Sequence, residues 1–323
     1  MRRVRLLHTG GTLGMTGSPL EPGAYAARLL DHVPELGRLA RIEPRIVCNL
    51  DSSDVGPAEW TELARIVAEE RSSFDGFVIV HGTDTMAFTA SALAFALQNL
   101  DRPVVLTGAQ RPLAALRTDA RRNLADAVEL ATCDLPEVGI CFDGLLLRGC
   151  RAVKADTRHY RAFASPGVEP LARLGTDVDV GAHVRRPTAP FACVPRFDPR
   201  VDVVFVAPGL SRQTLAHRLS DPTIRGVVLA AFGVGTIPDN GLSDVVRDAV
   251  ERGVEIVVTT QWGGVVDLEV YRNSQALRDA GAIPGGEMRI EAAVPKLMYA
   301  LASFPDRPTR RAWLARDAAG ELC

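Results

Sequence analysis

Long apolar runs are missing from this chain of 323 residues. No stretch approaches the ~20 apolar residues that span a bilayer, so no membrane partner is expected. Excess charge is missing too. The formal net charge is −2, which leaves no basic field to gather nucleic acid, and none is expected as a partner. The basic pairs Arg185–Arg186 and Arg310–Arg311 are read as solvated surface. Cysteine is sparse and scattered. None of the six falls in a CxxC or His-paired spacing, so no metal site is expected, and reduced, mostly buried thiols are. No apolar segment precedes the polar His8–Thr9, which argues against a secretory signal and for the cytoplasm. Nucleotide signatures are also lacking, since neither GxGxxG nor a Gly-Lys-Ser/Thr loop occurs where a first strand ends.

What is present is the composition of a folded globular protein, 47% hydrophobic and 24% charged. Single cores stop growing near ~250–300 residues, so two domains are expected. Short apolar runs read as strands at Val4–His8, Arg45–Asn49, Gly76–Val80, Val104–Thr107 and Val138–Phe142. Between them the periodicity predicts helices at Gly23–His32, Pro57–Ser72, Asp84–Leu100 and Ala120–Ala131. Strands that are apolar throughout, alternating with helices, indicate a parallel sheet covered on both faces. Prolines crowd the stretch between residues 187 and 199, a natural interdomain connection. Beyond it the rhythm restarts, with strands at Val201–Ala207, Gly226–Ala231 and Glu255–Thr260. The helices there are expected near Ser211–Leu219, Ser243–Arg252, Val270–Ala280 and Glu291–Ala302. The expected fold is therefore α/β, with a larger N-terminal parallel-sheet domain at 1–182, a linker at 183–200 and a smaller C-terminal α/β domain at 201–323.

Four polar clusters fall in or near the first domain's strand ends, where open α/β sheets bind ligands. Thr9-Gly10-Gly11-Thr12 follows the first strand. Its glycines permit close backbone approach, and its hydroxyls are candidate nucleophiles, although a tight or anion-binding turn reads the same way. Asp51-Ser52-Ser53-Asp54 has turn composition. It suits a helix cap near Asp54 or hydroxyl donors for a carboxylate. His81-Gly82-Thr83-Asp84-Thr85 opens a helix, so Asp84 is either its cap or a carboxylate for a substrate ammonium group. The fourth feature is Lys154, which alone would be read as surface. Together, Thr12, Thr83, Asp84 and Lys154 supply a hydroxyl nucleophile and the base that it needs.

HTGGTLGM, HGTDTM, LTGAQRP, RTDARRN and RAVKADT together resemble the bacterial L-asparaginases, particularly the cytoplasmic type I group, and the resemblance spans essentially the whole chain. In the second part Gly233-Val234-Gly235, Thr260-Gln261 and Ala280-Gly281-Ala282-Ile283 carry it. The resemblance implies hydrolysis of L-asparagine through a threonine acyl-enzyme, with no metal and no cofactor. It places the nucleophile at Thr12, the supporting group at Thr83, Asp84 and Lys154, and an assisting tyrosine at Tyr25. Ser52 and Ser53 would meet the substrate α-carboxylate, Asp84 its ammonium group, and Ala109 the amide through its backbone. Gly11 and Thr83 would offer N–H groups to the oxyanion. Whether Tyr25 or the Thr83–Lys154 pair deprotonates Thr12 stays open. Thr236 stands where many relatives carry an asparagine that reaches a neighbouring subunit's site. A homodimer or homotetramer is implied. The competing readings are a glutaminase-asparaginase and a noncatalytic amino-acid sensor on the same fold. The related amidotransferase subunit usually carries an added N-terminal domain, for which the start of TGGT at residue 9 leaves no room.

Overall fold

A computed structural model describes residues 1–16, 21–22 and 29–322, with backbone alone for 15–16, 21–22 and 29–30. Most of the predicted helix Gly23–His32, and Tyr25 with it, lies outside the described residues; Leu29–His32 is helical. The chain forms two compact units, Met1–Pro195 and Arg196–Cys323.

The first unit is built on an eight-stranded sheet. Its parallel part runs Arg41–Leu50, Arg3–Gly10, Gly76–Val80, Val104–Thr107 and Val138–Phe142 in spatial order. The expected parallel sheet is thus present, and three strands extend it. Leu145–Arg148, Ala172–Leu174 and Val178–Val180 add on antiparallel, each too short or too exposed to carry a periodic signal. Every residue of Gly76–Val80 and Val138–Phe142 is buried, as two covered faces require. Helix Pro57–Glu70 buries Trp60, Leu63, Ala64 and Val67, an i, i+3, i+4, i+7 stripe. Its first turn is closed by Glu59, whose carboxylate accepts the Gly56 N–H at 2.9 Å. The cap expected of Asp54 is therefore not used. Helix Met86–Ala96 is buried on nearly all sides and carries no amphipathic stripe.

This strand order places the sheet's topological switch point between Arg3–Gly10 and Gly76–Val80. The chain leaves the first strand toward one edge and the third toward the other. Crevices at the carboxyl ends of such strands are where open α/β sheets bind ligands. TGGT and HGTDT are the two segments that leave this point.

The second unit is a four-stranded parallel sheet in sequential order: Val201–Phe205, Gly226–Ala231, Glu255–Thr260 and Ile283–Pro284. Helices Arg212–Leu219, Leu242–Glu251, Arg272–Asp279 and Ile290–Ser303 match the expected rhythm within two residues at each end. A last helix, Arg307–Ala315, was not anticipated. It also corrects the surface reading of Arg310–Arg311. Glu255 is fully buried, and Arg307, Arg310 and Arg311 all pair with its carboxylate, at 3.2, 3.1 and 2.9 Å. The remaining donors go to main-chain carbonyls, among them Val250 and Gly281 behind preceding helices. Arg185 and Arg186 are exposed, as expected.

Among the cysteines, Cys141 and Cys150 are buried, and Cys48, Cys133 and Cys193 partly so. Burial pushes the thiols of Cys48 and Cys193 up to about 11, away from reactivity.

Candidate active site

Close backbone approach assembles the site. Gly10 and Gly11 have φ of +119° and +86°, conformations that suit glycine. A Cβ on Gly11 would stand 2.4 Å from the Gly82 nitrogen, so TGGT and HGTDT pack main chain against main chain. A Cβ on Gly82 would stand 2.6 Å from that of Ser52, which brings in the third cluster.

Hydrogen bonds then lock these loops. Ser52 is buried, and its Oγ accepts the Asp84 N–H at 3.3 Å. Its carbonyl accepts the Thr85 hydroxyl at 2.6 Å. Asp51 organises the turn by accepting the Ser53 N–H and hydroxyl at 2.9 and 2.8 Å. Ser53 is therefore exposed and turned toward its own loop. Thr9 is buried, and its hydroxyl donates to the Val80 carbonyl at 3.0 Å, which ties the two switch-point strands together. Thr12 begins a single 3-10 turn, Thr12–Gly14, and is half-buried.

Lys154 lies on the short strand Val153–Lys154 and reaches back across the sheet end. Its Nζ donates to the Thr83 Oγ1 at 2.8 Å and pairs with the Asp84 carboxylate. The Lys154 side chain is 18% exposed and that of Asp84 65%. One amino group thus bridges a hydroxyl and a carboxylate that neighbour the Thr9–Thr12 turn. The expectation that Asp84 caps its helix is not met: the helix cap is Thr85, and the Asp84 carboxylate goes to the lysine.

The LTGAQRP loop closes another side. Leu113 N–H donates to the Leu13 carbonyl at 3.2 Å, beside Thr12. Ala109 is buried between Gly108 and Gln110, whose main-chain groups are held by Asn123 and Asp119. The RTDARRN motif thereby acquires a role as the support of this loop.

One reading changes. The Gly11 N–H, expected as an oxyanion donor, bonds the Leu50 carbonyl at 3.2 Å and is committed to the sheet. Gly11 acts instead through its missing side chain. Thr236 is tied within its own turn, its hydroxyl donating to the Phe232 carbonyl at 3.2 Å. Among residues to which sequence reasoning gave no role, His81 is fully buried beside the site. Thr89 accepts the Trp60 Nε1–H at 3.0 Å, so its own proton goes to His81 Nε2 at 2.9 Å. His81 Nδ1–H then donates to the Gly82 carbonyl at 2.7 Å. Burial holds this ring neutral, with its pKa lowered to about 4. Thr89, buried in a helix whose only other polar residue is Ser91, was the available signal. Among the described residues no group of histidine, cysteine or carboxylates could hold a metal ion.

A two-unit α/β protein with its polar cluster at a sheet switch point is the class that this geometry defines. Comparison with known families narrows it. Residues 3–186 match the N-terminal asparaginase domain, and residues 200–314 match the glutaminase/asparaginase C-terminal domain. The chain is 36% identical to L-asparaginase 1 of Escherichia coli K12 over 338 aligned positions, covering 99% of this chain and 98% of that one. The solved structure of the thermostable L-asparaginase from Thermococcus kodakarensis superposes with a TM-score of 0.91 at 35% identity, covering 99% of each chain. The L-asparaginase I structure from Vibrio cholerae gives the same TM-score and identity, covering 100% of this chain and 99% of that one. The chain belongs to the asparaginase family.

Proposed function

We propose that the protein hydrolyses L-asparagine to L-aspartate and ammonia by acyl transfer through Thr12. One observation carries this reading. The Lys154 Nζ is shared by the Thr83 hydroxyl and the Asp84 carboxylate, next to a glycine turn that presents a second threonine. Thr12 Oγ attacks the side-chain amide carbon, and its proton passes to the departing nitrogen. Ammonia leaves as the C–N bond breaks, and Thr12 carries a β-aspartyl ester. Water attacks that ester as its proton passes through the Thr83 hydroxyl to the Lys154 amine, which carries it as the ammonium. The C–O bond to Thr12 breaks, and the proton returns to its hydroxyl. A hydroxyl needs such a base because it is a weak nucleophile at its own pKa. Tyr25 is the alternative first base.

The same residues suit the substrate's fixed ends. Ser52 Oγ already accepts the Asp84 N–H and so keeps its own proton for the α-carboxylate, with Ser53 beside it. The exposed part of the Asp84 carboxylate faces outward for the α-ammonium. The Thr83 N–H, one turn before helix Met86–Ala96, takes the oxyanion that Gly11 cannot, and the Ala109 main chain lies against the amide. No metal and no cofactor enter these steps. Glutamine is one methylene longer, which a pocket discriminates by only ~1–3 kcal/mol, so it is expected as a slower substrate. Ammonia release measured with asparagine and glutamine side by side tests the reading. Saturable binding of asparagine without ammonia would replace it with the sensor reading.

We infer a homodimer or homotetramer acting in the cytoplasm. Among the described residues, no helix is long and apolar enough to cross a membrane. The second unit exposes Phe205, Trp262 and Tyr271 by more than half, and the Trp262 ring stacks on Phe232 at 6.2 Å. Large exposed aromatics of this kind commonly mark subunit contacts. Light scattering and cell fractionation test the two statements.

A further inference from the structure

Lys154 sits at the mouth of a segment with little structure of its own. Its strand pairs with Phe163–Ala164 through two residue pairs only, and residues 155–162 between them form neither helix nor strand. Asp156 knots the segment internally. Its carboxylate accepts the N–H groups of Arg158 and His159 at 2.6 and 2.7 Å and meets His159 Nδ1 at 2.8 Å. A knot of this kind fixes the loop's shape and leaves its position undetermined.

Position is supplied from outside. The carboxamide nitrogen of Gln110 lies 3.4 Å from the Asp156 carbonyl and 3.2 Å from that of His159, one at each end of the knot. A primary amide has two N–H donors, which matches two carbonyl acceptors. The Gln110 main chain is in turn held. Its N–H and that of Arg111 donate to the two oxygens of Asp119, at 2.9 and 3.1 Å. Asn123 bonds both Asp119 and the Gly108 carbonyl, at 3.2 and 3.0 Å. Asp119 and Asn123 are buried at the start of helix Ala120–Leu130. An unbroken run of contacts therefore joins a core helix to the segment that bears Lys154.

We propose that Gln110 is a positioning residue, whose side-chain amide holds the 155–162 segment and so sets where the Lys154 amine stands against Thr83 and Asp84. Its effect on rate rests on the role given to Lys154 above. Lysine is a point charge on a flexible four-carbon stem, so its amine is placed by its backbone and its acceptors together. Displacement of a reacting group by about 1 Å costs on the order of 100-fold in rate.

Gln110→Ala removes the donors and the bulk, whereas Gln110→Glu keeps the shape and removes the donors. Both are expected to lower kcat for asparagine by about 10–100-fold, with KM changed by less than about threefold and the thermal midpoint nearly unchanged. Amide hydrogen exchange across 155–162 should accelerate in both, and not in the rest of the sheet. On acidification toward ~4.3 the introduced carboxyl regains an O–H donor, so exchange corrected for its intrinsic pH dependence should slow again in Gln110→Glu and not in Gln110→Ala. Gln110→Asn, which keeps the amide one methylene nearer the backbone, should give an intermediate loss and serves if either variant folds poorly. Wild-type kcat and wild-type exchange in Gln110→Glu would overturn the proposal, as would lost rate with the segment's exchange unaltered. If the segment loosens in these variants while Lys154→Met still turns over asparagine, the brace stands and the role given to Lys154 fails.

Discussion

Gly11 and Gly82 touch so closely that a methyl group on Gly11 would lie 2.4 Å from the nitrogen and 2.5 Å from the Cα of Gly82. Both atoms are main chain and cannot yield without moving the turn. Gly11 also sits at φ +86°, where an L side chain adds ~1–2 kcal/mol of strain. Gly11→Ala should therefore separate the TGGT and HGTDT turns. Ammonia release should fall by at least ~100-fold, and a urea melt should show a loss of a few kcal/mol. Near-normal kinetics in this variant would show that the contact does not govern the site.

Thr12→Ala should abolish turnover with the melt nearly unchanged, because Thr12 is only half-buried and its side chain is not part of the core. Lys154→Met should do the same within a few-fold. Asp84→Ala should raise KM and lower kcat together, since that carboxylate pairs with Lys154 and is assigned the substrate ammonium group. Steady-state kinetics on asparagine separate these patterns. Thr12→Ala enzyme that still released ammonia at the wild-type rate would remove Thr12 as the nucleophile.

The strands whose bounds were read most closely are those whose burial is complete, whereas Arg41–Leu50, with no fully buried residue, was legible only over Arg45–Asn49. Gly76–Val80, Val104–Thr107 and Val138–Phe142 coincide with their predicted bounds because two covered faces make each an almost unbroken apolar run. Ala172–Leu174 and Val178–Val180 were missed because three residues at a half-exposed sheet edge have no period to read. The site divides along the same line. Hydroxyls and carboxylates beside glycine announced themselves as Thr12, Thr83 and Asp84, while Lys154, which alone reads as surface, was legible only in combination with them and through family resemblance. Its geometry depends on a strand pair of two residues and on Gln110, whose relation to residues 156 and 159 is purely tertiary. The Glu255 cluster was misread for a similar reason. Nothing local to Arg310–Arg311 reveals a buried carboxylate more than fifty positions earlier.

His81 makes acid stability predictable. Burial lowers its pKa from 6.5 to about 4, against a smaller opposing contribution from its bond to the Gly82 carbonyl. The unfolded chain binds this proton near pH 6.5, and the folded protein refuses it until about 4. Its contribution is complete above pH 6.5 and is lost as pH falls through that window, about 3 kcal/mol in all. His8, also lowered by burial, works in the same direction. Asp198, held at about 2 by Arg200 and Arg225, adds its loss only at lower pH. Unfolding free energies measured between pH 7.5 and 4 should therefore fall, and His81→Gln should flatten much of the slope. An equal slope in that variant would assign the acid sensitivity elsewhere.

Lys296 and Glu321 form a fully buried ion pair at 2.6 Å in the second unit. Each charge has further partners. Lys296 Nζ donates to the carbonyls of Leu314 and Arg316 at 2.9 and 2.7 Å, and Glu321 accepts the N–H groups of Ala318 and Ala319. The pair thus fastens the last residues of the described chain to helix Ile290–Ser303. Breaking a buried pair from one side strands the other charge and costs ~3–5 kcal/mol, although the intact pair contributes far less. Lys296→Met and Glu321→Gln should each lower stability by that order. The double variant should lose less than the two together, because neither charge is then left alone. Urea melts of the four proteins give the coupling energy directly. Simple additivity would mean that the two charges are satisfied independently, each by its own main-chain partners.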